Sequence, residues 1–254
     1  MKFDAQDCLL VKKEQLTETI FDVTLQNEVL ASLCRPGQFA HVLVPGKTLR
    51  RPISICQAGN GILRLVFEVR GEGTRVLSEL PVGSTVNVIA PLGNGFDLPE
   101  NGQVVLVGGG IGVPPMLYAA DFLGNRATVI NGFRDKSAVI LTKDFQASGC
   151  RLIETTDNGS YGIHGFVTGP LKEVISGADL VCACGPAPML KNVAAVAQQF
   201  HVPCQVSLEQ RMACGVGACL GCAVAIKRKE GGFAYRHVCK DGPVFAAEEV
   251  EWNG

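Results

Sequence analysis

Four cysteines near the C-terminal end have the residue type and spacing that most clearly indicate chemistry: Cys214, Cys219, Cys222 and Cys239. The first three follow a C-x4-C-x2-C pattern and the fourth lies further along, which is the plant-type spacing for a [2Fe–2S] cluster. Thiolates are soft ligands for iron, and the glycines between them allow backbone N–H groups to turn toward the sulfurs. The pattern therefore predicts a [2Fe–2S] site, which exchanges one electron at a time.

Other roles for these four cysteines agree less well with the sequence. The total of 11 cysteines is odd, and the N-terminal segment 1–11 has no apolar signal core, so a disulfide framework is not indicated. A structural zinc site usually shows paired C-x2-C knuckles, which the x4 gap does not match. Free buried thiols would not require four glycine-flanked cysteines in one segment.

Composition excludes several classes of protein. A chain of 254 residues can form two compact domains and a small third unit. Its net charge of −1 offers no electrostatic footprint for nucleic acid, and no apolar run approaches the roughly 20 residues that cross a bilayer. We therefore expect a soluble, cytoplasmic protein that binds neither nucleic acid nor membrane.

The first hundred residues read as short strands separated by Gly and Pro turns. Stretches rich in Val, Ile, Leu and Phe lie at 18–25, 38–44, 62–69 and 85–90. Many short strands with such turns predict a closed antiparallel barrel. The Pro- and Gly-rich segments 91–95 and 99–102 predict a linker after it.

After residue 103 strands and helices alternate. Apolar strands are predicted at 104–107, 127–133, 152–155, 179–184 and 204–209, with helices near Pro114 and at 189–200 among them. This order predicts a parallel sheet with helices on both faces. A final hairpin, 223–229 and 233–239, turns at Gly231 and Gly232 and returns Cys239 to the other cysteines.

Two loops after residue 103 are candidate nucleotide-binding loops. The glycine turn contains Gly109, Gly110 and Gly112, where a bare backbone lets a pyrophosphate approach a helix N-terminus. Cys184, Gly185 and Pro186 follow another buried strand and should lie at the same carboxyl edge of the sheet. Either loop is also consistent with an ordinary strand-to-helix turn, and Cys184 either lies near a nicotinamide or only packs.

The barrel half carries a third motif. Arg51, Pro52, Ile53 and Ser54 combine a guanidinium fork, which matches phosphate, with a hydroxyl that can reach a flavin ring. Gly73 and Thr74 follow the next strand in a turn whose N–H groups could face a pyrophosphate. Read alone, two adjacent arginines are more often part of a solvated rim.

In their order along the chain, these motifs resemble the ferredoxin reductase family. The segments E-Q-R-M-A-C at 209–214 and C-K-D-G-P-V-F at 239–245 narrow the resemblance to electron-transfer subunits of NAD-linked bacterial dihydroorotate dehydrogenases. Two features differ from many flavin reductases: Ile53 stands where an aromatic residue is common, and the chain continues past the point where others end in an aromatic residue over the flavin.

The resemblance implies three domains: a FAD-binding β-barrel at 1–98, a NAD-binding α/β domain at 99–209 and a [2Fe–2S] domain at 210–254. It also implies that FAD is held by the 51–54 and 73–74 motifs together with the strand residues Val66, Phe67 and Glu68. The glycine turn and the 184–186 loop would hold NAD. No acid–base catalytic side chain is expected, because the cofactors carry the chemistry.

The same resemblance implies a partner and a pathway. Two such subunits would assemble with two catalytic subunits that contain FMN and oxidise dihydroorotate to orotate in pyrimidine biosynthesis. This chain would carry electrons from that FMN through the cluster and FAD to NAD+. Related subunits of sulfide dehydrogenases and of ferredoxin–NADP reductases share the three parts, and a carrier module without nicotinamide turnover is a further alternative. Spacing does not decide between NAD and NADP, nor whether the loop 157–162 faces a cofactor.

Overall fold

The computed structural model describes residues 3–228 and 230–252. The strands are β1 (Asp4–Gln15), β2 (Ile20–Gln26), β3 (Phe39–Val42), β4 (Arg51–Gly59), β5 (Ile62–Glu68), β6 (Thr85–Leu92), β7 (Val104–Gly109), β8 (Ala127–Phe133), β9 (Arg151–Thr156), β10 (Ile163–His164), β11 (Leu180–Cys184), β12 (Cys204–Ser207), β13 (Ala223–Lys227), β14 (Phe233–His237) and β15 (Val244–Ala246). The helices are α1 (Glu28–Leu33), α2 (Glu72–Glu79), α3 (Val113–Leu123), α4 (Thr142–Ala147), α5 (Thr168–Val174) and α6 (Ala187–Gln199). Within these residues no helix is both long and apolar enough to cross a membrane.

The first six strands close into an antiparallel barrel in the order β1-β2-β5-β4-β3-β6, which confirms the predicted barrel. Its interior is filled by alternate residues of each strand, such as Leu63, Leu65 and Phe67 of β5. The prediction missed β1, since most of its side chains are polar and exposed and only Cys8 and Leu10 are buried. It also missed β4, which begins with Arg-Pro, and the short helices α1 and α2.

The remaining strands form a seven-stranded sheet in the order β10-β9-β8-β7-β11-β12-β15, and all neighbours are parallel except β12 and β15. Buried residues of α3 and α4 pack on one face of the sheet, and those of α5 and α6 pack on the other. The predicted parallel sheet covered by helices on both faces is thereby confirmed. The predicted strand at 204–209 was too long, because β12 ends at Ser207, the last residue that pairs with β11 and β15.

One apolar core joins the barrel to the sheet. Ile20, Cys56 and Val66 on the outer side of the barrel belong to the same buried cluster as Met116 and Leu117 of α3. This contact fixes the end of β5, with its predicted flavin residues, next to the start of α3.

A network of ions lies at the edge of this core. The Arg64 guanidinium of β5 donates to the Asp22 carboxylate of β2, with Nη2 2.7 Å from Oδ2, and to the Asp144 carboxylate of α4. Its Nη1 also donates to Gln57, which in turn donates to Asp121 of α3. One arginine therefore connects three strands of the barrel, directly or through Gln57, with two helices of the sheet domain.

The C-terminal segment folds back on both domains. β13 and β14 form the predicted hairpin, although Lys229, where its first strand was predicted to end, lies outside the described residues. β15 joins the large sheet beside β12, and Asn94 of the predicted linker donates its backbone N–H to the Gly242 carbonyl at 2.6 Å. The segment that contains Cys239 is consequently attached to the end of the barrel as well as to the sheet.

Candidate functional site

A cleft opens where the barrel meets the sheet. Its lining contains seven of the predicted flavin residues, together with Ile111 of the glycine turn and residues from the end of β12 and the segment after it. The full set is Phe39, Pro52, Ile53, Ser54, Val66, Phe67, Glu68, Arg70, Thr74, Ile111, Ser207, Leu208, Glu209, Gln210, Met212 and Pro243. Apolar walls with a few convergent polar groups are what a flat aromatic cofactor ring requires.

Arg51 and Gly73 meet at one end of this cleft. A Cβ added to Gly73 would lie only 2.3 Å from the Arg51 Nε and Nη2 atoms, so the guanidinium rests against a bare backbone at the start of α2. Thr74 caps that helix, because its Oγ1 accepts the N–H groups of Arg70 at 3.0 Å and Gly71 at 3.2 Å. A guanidinium beside a helix N-terminus suits a phosphate, so these residues fit the diphosphate of FAD.

The glycine turn and the 184–186 loop lie side by side at the carboxyl edge of the sheet. Cys184 pairs with Gly108 in the parallel register, and β7 and β11 are the strands where the order of the sheet reverses. Ligands of open α/β sheets bind in the crevice at this switch point. A Cβ on Gly112 would lie 2.4 Å from the Cys184 carbonyl oxygen, so only glycine permits this approach of the two loops.

A second cleft follows this edge. Gly109, Gly110, Gly185 and Pro186 line it, whereas Gly112 and Cys184 are buried beneath as the contact that brings the loops together. Burial and the Glu209 carboxylate raise the pKa of the Cys184 thiol to about 12, so it is neutral at physiological pH. The structure thus places Cys184 in a packing position below the cleft.

Further residues extend this second cleft away from the barrel. Arg134, Asp135 and Ser137 line it beyond the end of β8, and an adjoining cavity is lined by Asp157. The loop 157–162, whose role the sequence leaves open, therefore contributes Asp157 to the cavity that adjoins the second cleft.

The two clefts share a boundary. Glu68, Arg70, Ile111 and Glu209 line both of them. The Arg70 Nε donates to the Glu68 carboxylate at 2.6 Å, and burial raises the pKa of Glu209. A ring bound at the end of the first cleft and a nicotinamide entering from the second would meet at these four residues.

The four predicted cluster ligands lie in one loop system. Gly215 and Gly217 have φ angles of +72° and +80°, which glycine tolerates and which turn the amides inward. The Gly217 N–H donates to the Cys239 sulfur at 3.2 Å, and the Cys219 N–H donates to the Cys214 sulfur at 3.4 Å. The sulfurs of Cys222 and Cys239 are 3.3 Å apart.

The four thiols differ in their electrostatics, and the backbone amides favour the anionic form at Cys214 but not at Cys239. Burial opposes ionisation of Cys214, but hydrogen bonds from backbone N–H groups of the loop outweigh it and lower the pKa of this thiol to about 6. Burial and the neighbouring Cys222 thiol raise the pKa of Cys239 to about 12. Among the described residues no group of three or more His, Cys, Asp or Glu side chains is arranged around a single metal ion. The fit to a [2Fe–2S] cluster therefore rests on the donor types and on the amides directed at the sulfurs.

His41 lies directly beneath this loop. It is fully buried in β3, and a Cβ added to Gly215 would lie 2.3 Å from its Nδ1 atom. Burial and the positive charges of Arg50 and Arg51 lower the pKa of His41 to about 4, although the nearby carbonyls of Arg50 and Cys214 act in the opposite direction. The imidazole thus stands between the flavin motif and the first cluster cysteine.

Sequence reasoning missed several residues of the site. The sequence interpretation of His41 is structural, because the four histidines show no spacing that suggests a metal site, although a histidine in the apolar strand F-A-H-V is a signal. Met212 and Pro243, which flank the cysteines in sequence, line the first cleft. Their contribution depends on the way the C-terminal segment folds back, which no local pattern shows.

Comparison with known proteins agrees with this geometry. The family model for the iron-sulfur cluster binding domain of dihydroorotate dehydrogenase B matches residues 209–251, which confirms the prediction of an iron–sulfur domain at this end of the chain.

Similar sequences cover most of the chain. The dihydroorotate dehydrogenase B (NAD(+)) electron transfer subunit of Caldanaerobacter subterraneus subsp. tengcongensis is 43% identical over 217 residues, covering 85% of this chain and 86% of that protein. The protein of the same name from Geobacillus thermodenitrificans is 41% identical over 253 residues, covering 95% of this chain and 96% of the relative.

Solved structures show the same fold. A chain of the NADH-dependent reduced ferredoxin-NADP oxidoreductase superposes with a TM-score of 0.87 at 33% identity, covering 97% of this chain and 90% of that one. A cytochrome P450 reductase from Amycolatopsis, 22% identical, superposes with a TM-score of 0.65 over 78% of this chain and 67% of its own, and shows the fold alone. The predicted ferredoxin reductase-like fold is confirmed, and the chain belongs to the family of dihydroorotate dehydrogenase B (NAD(+)) electron transfer subunits.

Proposed function

We propose that this chain is the electron-transfer subunit of an NAD-linked dihydroorotate dehydrogenase and that it binds FAD, one [2Fe–2S] cluster and NAD. The observation that carries the proposal is the position of the cysteine loop at the cleft between barrel and sheet. Met212, two residues before Cys214, lines the first cleft. Ile111 lines both the first cleft and the second cleft, which is the proposed nucleotide site. Three binding sites therefore lie in series within one chain.

The order of the sites fits the chemistry of the cofactors. A nicotinamide exchanges electrons in pairs as hydride, an iron–sulfur cluster exchanges them singly, and a flavin between them can do both. The first cleft lies between the other two sites. One of its ends therefore faces the cluster, with which single electrons are exchanged, and the other faces the nicotinamide, with which hydride is exchanged.

We assign residues in and beside the first cleft to FAD. Arg51, Gly73 and Thr74 at the N-terminus of α2 would hold its diphosphate. Pro52, Ile53, Ser54, Val66, Phe67 and Glu68 would line its ring system. The Ser54 hydroxyl and the Glu68 carboxylate supply the polar contacts of that wall, while the apolar residues exclude water.

The other two sites complete the assignment. Cys214, Cys219, Cys222 and Cys239 would ligate the cluster, with the Gly217 and Cys219 amides donating to its thiolates. Gly109, Gly110, Gly185 and Pro186 would face the nicotinamide dinucleotide, and Gly112 and Cys184 would hold their loops together. We assign NAD rather than NADP because the relatives from Caldanaerobacter and Geobacillus carry NAD(+) in their names.

We further propose that the partner is an FMN-containing catalytic subunit and that two copies of each chain assemble. The cysteine loop supports a docking role, since Val216 is 37% exposed and Leu220, between two of the cluster cysteines, is 78% exposed. Apolar side chains beside a cofactor loop suit a surface that a partner covers. Electrons from dihydroorotate, oxidised on the partner, would enter here, which places the chain in pyrimidine biosynthesis.

A second function is favoured by one observation. The superposition with the NADH-dependent reduced ferredoxin-NADP oxidoreductase extends over 97% of this chain at 33% identity. A ferredoxin-linked or sulfide-linked reductase subunit would use the same three sites. The higher identity of 41–43% to the dihydroorotate dehydrogenase subunits favours the first proposal.

The test is a coupled assay. The chain is co-expressed with an FMN-containing dihydroorotate dehydrogenase subunit, and dihydroorotate-dependent reduction of NAD+ is measured with purified complex. We expect turnover that is lost in a Cys219→Ser variant that still contains FAD. A complex with full FAD and iron content that reduces no NAD+ would refute the proposal.

Two further arms of this assay separate the alternatives. In the first arm, the electron donor is reduced ferredoxin instead of dihydroorotate, and the acceptor is NADP+ instead of NAD+. Activity in this arm alone identifies the reductase function. The isolated chain is given NADH and an artificial electron acceptor in the second. Absence of NADH oxidation by a chain with bound FAD would indicate a carrier without nicotinamide turnover.

A further inference from the structure

His41 is a buried polar side chain whose hydrogen-bonding capacity is unused in the described part of the chain. Its side chain is fully buried, and neither Nδ1 nor Nε2 has a hydrogen-bond partner there. A buried imidazole without partners costs free energy that a Leu or Phe at the same position would not. The position is therefore better explained by a role at the site above it than by the stability of the barrel.

The main chain around His41 fixes where the ring can act. His41 pairs with Pro52 of the flavin motif across β3 and β4, and its carbonyl accepts from the Arg50 Nη1 at 3.1 Å. These contacts hold the backbone of His41 in the barrel wall. The ring itself projects to Gly215, whose missing side chain leaves space for Nδ1.

The cysteine loop packs against the His41 ring at Gly215. Gly215 combines a φ of +72° with a space in which a Cβ would lie 2.3 Å from Nδ1. Any other residue would be strained in its backbone and would displace the imidazole. The Cys214 carbonyl also lies near the ring and is an acceptor for an imidazole N–H.

The imidazole can donate to the loop whatever its charge. At least one of its two ring nitrogens always carries an N–H, and Nδ1 is the ring atom nearest to the space above Gly215. That donor can therefore hold a group of the loop.

We propose that His41 is a positioning residue for the iron–sulfur site: its N–H holds the loop at Cys214 and Gly215 and raises the reduction potential of the cluster. The inference rests on the proposed function, because it assumes that the four cysteines bind the cluster. A donor that neutralises a carbonyl dipole beside the cluster favours the reduced, more negative form. The same contact connects the first cluster cysteine with the strand next to the flavin motif.

The test compares three variants of the full chain, loaded with FAD and cluster under anaerobic conditions. His41→Phe and His41→Leu remove the donor with a larger and a smaller apolar side chain. His41→Asn is the matched control, since its side-chain N–H₂ reaches close to the position of Nδ1. The readouts are FAD content, iron content and the midpoint potentials of cluster and flavin by EPR-monitored redox titration.

We expect the Phe and Leu variants to retain FAD with an unchanged flavin potential. Their cluster potential should fall such that the equilibrium constant for electron transfer from flavin to cluster decreases about tenfold, equivalent to about 59 mV for one electron. His41→Asn should recover at least half of that shift. If the apolar variants lose iron instead, retention of iron by His41→Asn supports the same role.

Two results would overturn the proposal. One is an unchanged cluster potential in both apolar variants at full iron content, which would leave His41 as packing alone. The other is a His41→Asn variant that behaves like His41→Leu in potential or iron content. A wild-type chain that takes up FAD but no iron would instead refute the proposed function, so the two failures are distinguishable.

Discussion

Replacement of Arg64 by methionine should destabilise the protein more than a typical single substitution. The Arg64 side chain is 14% exposed, and its partner Asp22 is 5% exposed. Two nitrogens of the guanidinium donate to the Asp22 carboxylate at 2.7 to 3.1 Å. Arg64→Met removes these donors and leaves an anion that solvent can hardly reach.

The magnitude follows from the two carboxylates. Removal of one partner of a buried ion pair costs about 3–5 kcal/mol, because the remaining charge is left uncompensated. Asp144, the second carboxylate, is 33% exposed, so water replaces much of what it loses and adds about 1 kcal/mol at most. We therefore expect a loss of about 3–6 kcal/mol, or roughly 6–24 °C in Tm at 2–4 °C per kcal/mol for a chain of this size.

The measurement is urea unfolding followed by circular dichroism, with thermal unfolding beside it. Asp144→Asn is the matched control for the exposed partner and should cost about 1 kcal/mol or less. The double variant Arg64→Met/Asp22→Leu should recover most of the loss, because apolar replacement of a whole buried pair is often neutral. A loss below 1 kcal/mol for Arg64→Met, or no recovery in the double variant, would show that the pair is not buried as described.

Three further substitutions test the assigned sites. Cys219→Ser should abolish iron binding while FAD remains bound, and persistence of the visible absorption of the cluster would remove this cysteine from the ligand set. Arg51→Ala should weaken FAD retention roughly 10- to 100-fold, because a charge-assisted hydrogen bond contributes about 1.5–3 kcal/mol, and unchanged flavin content in equilibrium dialysis would contradict its role. Gly112→Ala places a methyl group 2.4 Å from the Cys184 carbonyl and should cost about 1–3 kcal/mol and weaken NADH binding. Gly169→Ala in α5, where no atom from outside the helix lies within 4 Å of the new Cβ, is its control and should neither destabilise the protein nor weaken NADH binding.

The sequence predicted those parts of the molecule that depend on local pattern. Strand-turn alternation predicted the barrel, strand-helix alternation predicted the parallel sheet, and cysteine spacing predicted the iron–sulfur segment. Of the elements it missed, β1 lacks an apolar pattern of its own. β1 (Asp4–Gln15) buries mainly Cys8 and Leu10, and it is a strand because β2 and β6 pair with it on both sides.

The unpredicted parts of the site depend on contacts between distant segments. Gly73 and Arg51 were each selected from local motifs, but their direct contact follows from the closure of the barrel. The sequence left open whether Cys184 contacts a nicotinamide or only packs. The register with Gly108 places it beneath the second cleft. The predicted ends of strands and helices were less accurate than the prediction that these elements exist. The reason is that pairing partners decide where a strand such as β12 ends.

The course of the C-terminal segment explains why a cluster could lie close to a flavin without a dedicated linker. After β12 the chain lines the first cleft as far as Met212, forms the cysteine loop over His41 and returns to the sheet as β15. The return passes Gly242, whose carbonyl accepts from the Asn94 backbone at the end of the barrel. Both ends of the loop are thus anchored to elements that also form the flavin cleft. The rate of electron transfer falls steeply with distance. A loop fixed at both ends to the walls of the cleft keeps the distance between cluster and flavin constant. Its tip at Leu220 is exposed and can contact a partner.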